Sequence, residues 1–210
     1  FSQATADGQQ VDSGEALVTV SGSVRSLLRG ERVALNLIQR LCAIATLTRQ
    51  YVNAVQGLKV NIVDTRKTTP GLRMLEKYAV RVGGGRNHRY SLSDGVLIKD
   101  NHIAACGSLR RAVEKARAAV PHTIAIEVET DTLEQVQECL ECNVPIIMLD
   151  NMDLNTMRQA VTMINGKALV EASGGVNLGT VRGIAETGVN IISVGALTHS
   201  ARSCDIGLDW

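Results

Sequence analysis

The segment Asp64-Thr65-Arg66-Lys67-Thr68-Thr69-Pro70-Gly71 places two adjacent cations where the apolar run Val60-Asn61-Ile62-Val63 stops. A strand that ends in paired cations is poised to hold an anion. The arrangement recurs as Asn87-His88-Arg89, and again as Lys99-Asp100-Asn101-His102 behind Gly95-Val96-Leu97-Ile98. Cationic clusters repeated over so short a span suit a substrate with several negative charges. Glu129 and Asp150 each follow a β-rich run, so two carboxylates would face the same mouth. Hard oxygen ligands beside phosphate-binding groups suit Mg2+, which keeps waters and bridges to substrate phosphates. Glu127 and Glu129 lie two apart on one strand and point the same way, so both enter the site, or both are solvated or pair with neighbouring lysines. Taken singly, each of these charges reads as a solvated or ion-paired surface group. Their joint placement carries the argument.

An alternation of strands and helices must position these groups. Ala16-Leu17-Val18-Thr19-Val20 reads as a short strand, and Val33, Leu37, Ile38, Leu41, Ile44, Ala45, Val52 and Val55 recur at roughly helical spacing, giving one long or broken helix. From Leu58 onward, apolar runs at 60–63, 95–98, 123–128, 145–149, 168–170 and 191–194 are rich in Val and Ile, and most precede a helical pattern. Parallel β/α units are the natural reading. Asp131 with Glu134 resembles a capping box, Asn177 an N-cap, and Gly188 a C-terminal glycine.

Polar residues sit at or near the end of almost every strand: Arg66 and Lys67, Lys99, Glu127 and Glu129, Asp150 and Asn151, Glu171 and Ser173, then Gly195. An open sheet uses only strands near its switch point, whereas a barrel gathers all its C-terminal strand ends around one mouth. Recruitment by every strand favours the barrel. Ser173-Gly174-Gly175 and Val194-Gly195-Ala196 in the last units let backbone N–H groups approach a phosphate. Gly83-Gly84-Gly85 does not complete a dinucleotide fingerprint, because His88 stands where the third glycine belongs. It reads as a flexible turn delivering His88 and Arg89.

At 210 residues the chain suffices for one domain, or one with a small appendage. Scarce aromatics argue against a stacking platform for single-stranded nucleic acid, and a net charge of +1 predicts no basic field for nucleic acid or anionic membrane. The cysteines Cys42, Cys106, Cys139, Cys142 and Cys204 are odd in number and irregular in spacing, which fits a reducing cytoplasm better than a disulfide framework. Cys139 and Cys142 lack a second pair or a nearby histidine and read as small apolar helix residues rather than zinc ligands. His122 and His199 read as surface or helix-end residues, and His102 as a loop-orienting one. No apolar run reaches membrane-spanning length, and no signal peptide opens the chain. The first residue is Phe1 rather than Met, which fits a processed or truncated product.

These motifs, together with Glu31-Arg32-Val33-Ala34-Leu35-Asn36, Glu127-Val128-Glu129, Leu149-Asp150-Asn151 and Val194-Gly195-Ala196-Leu197-Thr198, occur in one order from about Gly30 to the C-terminus. As a set they resemble the quinolinate phosphoribosyltransferases, the carboxylating nicotinate-nucleotide pyrophosphorylases, a type II phosphoribosyltransferase family. The resemblance implies an α/β fold: an incomplete parallel, TIM-like β/α barrel with part of an α/β sandwich N-terminal domain. Residues 1–57 would be the remainder of the sandwich, 58–200 the barrel, and 201–210 a segment returning to the sandwich. It implies a decarboxylating pentosyltransferase of de novo NAD biosynthesis that converts quinolinate and phosphoribosyl pyrophosphate (PRPP) to nicotinate mononucleotide, pyrophosphate and CO2. It further implies a cytoplasmic homodimer or larger assembly with shared active sites, binding neither nucleic acid nor membrane.

Residue by residue, the resemblance places Arg66, Lys67, His88, Arg89 and Arg32 (from the partner subunit) around quinolinate. It places Lys99, Glu129 and Asp150 by PRPP, and Ser173, Gly174, Gly175, Gly195 and Ala196 around the 5′-phosphate. Mg2+ would lie near Glu129 and Asp150, held mainly through substrate pyrophosphate and water. Two departures stand out. Cys42-Ala43 replaces the family's usual Ser-Gly between two helices, which should alter packing and not chemistry, and the family has a further portion of its sandwich before the position of Phe1. Rival readings are a relative using another acceptor, nicotinate-like or associated with molybdate transport, and a non-catalytic phosphate-binding fragment. Retention of Arg32, Arg66, Lys67, His88 and Arg89 together argues for a dicarboxylate, and of Lys99, Glu129 and Asp150 for turnover.

Overall fold

A parallel strand ladder dominates the computed structural model, which describes Ser2, Gln3 and residues 5–209. Two short strands, β1 (Ser2–Gln3) and β2 (Val18–Thr19), pair antiparallel at the N-terminus. They precede helix α1 (Val24–Ala54), whose first turn is capped by the Ser23 hydroxyl accepting from Ser26 N–H. The expected helix is therefore long and unbroken. Ala43 lies in its interior, 4% exposed, and alanine is the residue most favourable to helix continuation. Ile44, Thr48, Tyr51 and Val55 are buried at helical spacing, so this half of the helix faces the core.

Six β/α units follow: β3 (Asn61–Val63), α2 (Arg73–Val82), β4 (Val96–Ile98), α3 (Asp100–Cys106), α4 (Leu109–Ala119), β5 (Ile126–Thr130), α5 (Leu133–Glu141), β6 (Ile146–Asp150), α6 (Leu154–Ile164), β7 (Leu169–Ser173), α7 (Val181–Ala185), β8 (Ile191–Ser193) and α8 (Ala196–His199). The strand order is β3-β8-β7-β6-β5-β4, all parallel. Neighbours follow chain order and the first strand pairs with the last, which is barrel connectivity rather than a doubly wound sheet. β3 and β4 are not paired to each other. Beside β3 the next stretch makes only a single bridge, Val63 to Arg86, so the barrel is incomplete on that side. Ile62, Val128, Ile147, Leu149, Ala172 and Ile192 from its strands join the helix residues in one core.

Several local expectations shift. The turn at Gly83-Gly84-Gly85 is packed against α1 rather than flexible: a Cβ on Gly83 would lie 2.4 Å from the Ala45 carbonyl oxygen, and one on Gly85 2.8 Å from Thr48 Cγ2. The capping box of α5 is Thr132 with Gln135, one residue beyond the expected Asp131–Glu134 pair. Asn177 caps a turn before α7, its Oδ1 accepting from Gly179 N–H, while Thr180 is the residue preceding the helix. Gly188 does take a left-handed conformation, with φ +94°, just beyond α7. After α8 the chain runs back along α1, where Gln39 Nε2 donates to the Ile206 carbonyl at 2.7 Å and Cys204 N–H to the Gln39 carbonyl at 3.2 Å.

Candidate active site

The cationic side is built on a carboxylate. Asp64, the residue after β3, is wholly buried and accepts from the Lys77 ammonium on α2, from Asn87 Nδ2 at 2.6 Å and from His88 N–H at 2.9 Å. Lys77 also donates to the His88 carbonyl at 3.2 Å and stands 5.0 Å from the centre of the Tyr90 ring. Burial pushes Asp64 up and Lys77 down, and their mutual attraction opposes both shifts. The pair thus fastens the 87–90 segment to the end of β3. Arg73 donates to the carbonyls of Arg66 and Tyr90, while the buried Glu76 accepts from Thr69 and from Arg40 on α1.

This scaffold leaves the Arg66 and Lys67 side chains exposed and Arg89 half-buried. Arg89 Nη1 donates to the Gly95 carbonyl at 2.9 Å. Burial, then the Arg66 guanidinium, weigh against its charge, although a guanidinium stays protonated. A half-buried guanidinium repelled by an exposed one beside it is stabilised by an anion between them.

Beneath them, His88 Nε2 lies 3.2 Å from Glu127 Oε2 and 3.4 Å from Glu171 Oε2. The glutamates come from β5 and β7, alternate strands whose inward side chains share a layer of the barrel interior. His88 Nδ1 accepts Arg89 N–H at 2.9 Å. The carboxylates, Glu127 first, pull His88 up to about 10, and burial pushes Glu127 up. Because Nδ1 accepts the Arg89 N–H, the ring proton that these carboxylates hold is the one on Nε2, between them.

Glu129, two residues along β5, points the same way nearer the mouth and pairs with Lys99 Nζ at the end of β4. Of the two β5 glutamates expected to be in the site or paired with lysine, only Glu129 meets a lysine; Glu127 meets His88. His102, expected to orient a loop, lies instead in the first turn of α3, where its Nδ1 accepts Lys99 N–H at 3.0 Å as part of the helix cap. At the end of β6, Asp150 Oδ2 accepts from Asn151 Nδ2 at 2.7 Å. Asn151 occupies the space above Gly174, where a Cβ would lie 2.1 Å from its Oδ1. Gly174 and Gly175 both have positive φ, at +88° and +61°, which turns the chain away from Ser173.

The last unit meets the first. A Cβ on Gly195 would lie 3.3 Å from Lys67 Cδ and 3.1 Å from His199 Nε2, and Thr198 Oγ1 donates to the Lys67 carbonyl at 2.7 Å. Ala196 opens α8 at this junction. The cationic loop and the Gly195 turn are therefore neighbours. Arg32 stands apart on α1: its side chain is 73% exposed, and its only partner among the described residues is Glu31 at 3.0 Å. Cys139 and Cys142 are buried free thiols, and burial pushes Cys139 up to about 12, as suits packing residues rather than ligands.

The sequence motifs contain Asp64, Asn151 and Thr198 but gave them no holding role, and Lys77, Glu76 and Arg40 lie outside every motif. A signal did exist for α2, where Glu76 and Lys77 occupy the same stretch as the buried Ala79 and Val80 and are themselves buried. A charged residue on a core-facing helix turn needs a specific partner.

Comparison with known proteins agrees with this layout. Residues 44–209 match the family model described as quinolinate phosphoribosyl transferase, C-terminal domain, and residues 1–42 match its N-terminal domain. The chain is 51% identical over 203 residues to a probable nicotinate-nucleotide pyrophosphorylase [carboxylating] of Bacillus subtilis, covering 97% of this chain and 70% of that protein. It is 50% identical over 206 residues to the nicotinate-nucleotide pyrophosphorylase [carboxylating] of Mycobacterium leprae, covering 97% and 72%. The crystal structure of nicotinate-nucleotide pyrophosphorylase from Ehrlichia chaffeensis superposes with a TM-score of 0.95 at 48% identity, over 99% of this chain and 75% of that one. With both domain models matched in order, and half the residues shared with proteins of this name, the chain belongs to the quinolinate phosphoribosyl transferase family.

Proposed function

We propose that this protein transfers the phosphoribosyl group of PRPP to quinolinate with decarboxylation, giving nicotinate mononucleotide, pyrophosphate and CO2 in de novo NAD biosynthesis. The observation that carries this reading is the junction of Lys67 with the Gly195 turn, which sets a cationic cluster against a glycine cradle. Quinolinate brings adjacent carboxylates, which planar guanidinium forks grip bidentately; Arg66 and Arg89 supply the forks, with Lys67 and His88 beside them. Ser173, Gly174, Gly175, Gly195 and Ala196 offer backbone donors to the 5′-phosphate.

In this reading the pyridine nitrogen attacks the anomeric carbon as the bond to pyrophosphate breaks. Glu129 and Asp150 stabilise the positive charge that builds on the ribose, and Lys99 neutralises the departing anion. The alkylated ring nitrogen then stabilises the electron pair left on the ring carbon as CO2 leaves, and a proton replaces the lost carboxylate. Positioning and electrostatics suffice without a covalent nucleophile. The donor set fits Mg2+: among the described residues Asp150 Oδ1 has no donor and Glu129 is shared only with Lys99. Bound through substrate pyrophosphate and water, Mg2+ would add charge neutralisation on the leaving group.

The exposure of Arg32, paired among the described residues only with its sequence neighbour, supports its service to the site of the partner subunit in a homodimer. Free thiols support a cytoplasmic setting, and no helix among the described residues is long and apolar enough to cross a membrane. The test follows CO2 and nicotinate mononucleotide when the protein meets PRPP, Mg2+ and either quinolinate or nicotinate. Product from quinolinate alone is expected. A folded protein that binds PRPP yet uses neither acid would refute the assignment.

A further inference from the structure

His88 is expected beside the acceptor, yet both its ring nitrogens are engaged within the fold. Nδ1 accepts Arg89 N–H at 2.9 Å, and Nε2 lies between Glu127 and Glu171 at 3.2 and 3.4 Å. A ring nitrogen that accepts an N–H carries no proton, so the ring proton sits on Nε2. The two glutamates are 4% and 1% exposed, and Oε1 of each has no hydrogen-bond partner among the described residues. One N–H therefore faces two buried carboxylates and leaves half their acceptors unmet. Burial of such groups is costly, and apolar residues would stabilise a barrel interior better. Where buried polar groups remain at that cost, orientation of a neighbouring functional group is a physical reason for them.

Resting on the quinolinate reading, we propose that Glu127 and Glu171 are positioning residues for acceptor binding. Together they fix His88 as the Nε2–H tautomer, which leaves Nδ1 to anchor the backbone of Arg89 and aim its guanidinium at the acceptor's carboxylates. The other charges nearby act on the His88 main chain, with Asp64 accepting its N–H and Lys77 donating to its carbonyl. Arg66 acts from the Arg89 side. No other carboxylate or cation bonds the imidazole among the described residues. The ring's state is thus set from beneath by this pair.

The test exploits the small number of histidines, four in all. Ring-nitrogen NMR of 15N-histidine-labelled protein at neutral pH is expected to show one histidine with a bare Nδ1 and a protonated Nε2, lost in His88→Gln. In Glu127→Gln/Glu171→Gln the amides donate as well as accept, so that signal should shift toward mixed tautomers, with each single variant between. The double variant should raise KM for quinolinate about tenfold, equivalent to one weakened hydrogen-bonded contact of about 1.4 kcal/mol, and leave KM for PRPP unchanged. A cationic or Nδ1-protonated ring in the unmodified protein would overturn the proposal. So would an equal rise in both KM values, or a chelator that moves the His88 signals and so reveals a metal held by the three side chains. If the protein does not convert quinolinate, the functional reading falls alone, and the ring signals still decide the tautomer.

Discussion

The Thr198 hydroxyl donates a 2.7 Å hydrogen bond to the carbonyl oxygen of Lys67. It ties the loop after the first barrel strand to the last helix, across the β3–β8 seam. Thr198→Val should lower the unfolding free energy by only about 1 kcal/mol, yet reduce kcat/KM by about tenfold or more because Lys67 is no longer held. Urea unfolding and steady-state kinetics measure both, and Thr198→Ser should restore them. Full activity in the valine variant would show that other bonds place the loop.

Lys77 and Asp64 form a wholly buried ion pair beneath the mouth. Removing one partner strands a charge, so Lys77→Met should cost about 3–5 kcal/mol of stability. Asp64→Asn in the same chain should recover part of that loss, since no uncompensated charge remains. Denaturant midpoints of the single and double variants check this.

Lys99, with a side chain 45% exposed, pairs with Glu129, whose side chain is 13% exposed and lies at the open mouth of the barrel. Lys99→Ala should therefore change stability by no more than about 0.5 kcal/mol. If the lysine neutralises the leaving pyrophosphate, kcat should fall by about 100-fold. A loss of activity that tracks a loss of stability would contradict that role.

At Gly174 a methyl group meets the Asn151 amide at 2.1 Å in a backbone with φ +88°. Gly174→Ala should cost about 1–2 kcal/mol from the left-handed conformation alone and push Asn151 off its contact with Asp150. The expected signature is a raised KM for PRPP with that for quinolinate unchanged. Isothermal titration with each substrate separates the two.

Burial pushes the Cys139 thiol from 9.0 to about 12. The unfolded chain then releases this proton at lower pH than the folded one, so the unfolded state binds fewer protons in between. Stability should accordingly decline as pH rises from about 9 toward 12. Below that window Cys139 should resist iodoacetamide until the protein unfolds. Mass spectrometry of alkylated native protein checks the second point, and rapid labelling at Cys139 would contradict its burial.

The alternation of strands and helices was legible in the sequence because the periodicity of side chains is a local property: runs at 123–128, 145–149 and 168–170 became β5, β6 and β7, with the ends of β5 and β7 displaced by up to about three residues. The cationic clusters were legible too: Arg66-Lys67 and Lys99 lie just beyond β3 and β4, while His88-Arg89 follows only the isolated bridge at Arg86. The cap of α5 was not, because Asp131–Glu134 and Thr132–Gln135 are equally good local patterns, and the end of β5 selects between them. Nor was the packing of Gly83 and Gly85, which depends on Thr48 of a distant helix. The sequence by itself therefore determined the strand–helix alternation and the charges at the mouth, and favoured a barrel; the strand order that closes β3 onto β8 was decided by tertiary structure. Only tertiary structure brought Glu127 and Glu171 to one imidazole, because side chains of alternate parallel strands meet only after the sheet has curled and set their register.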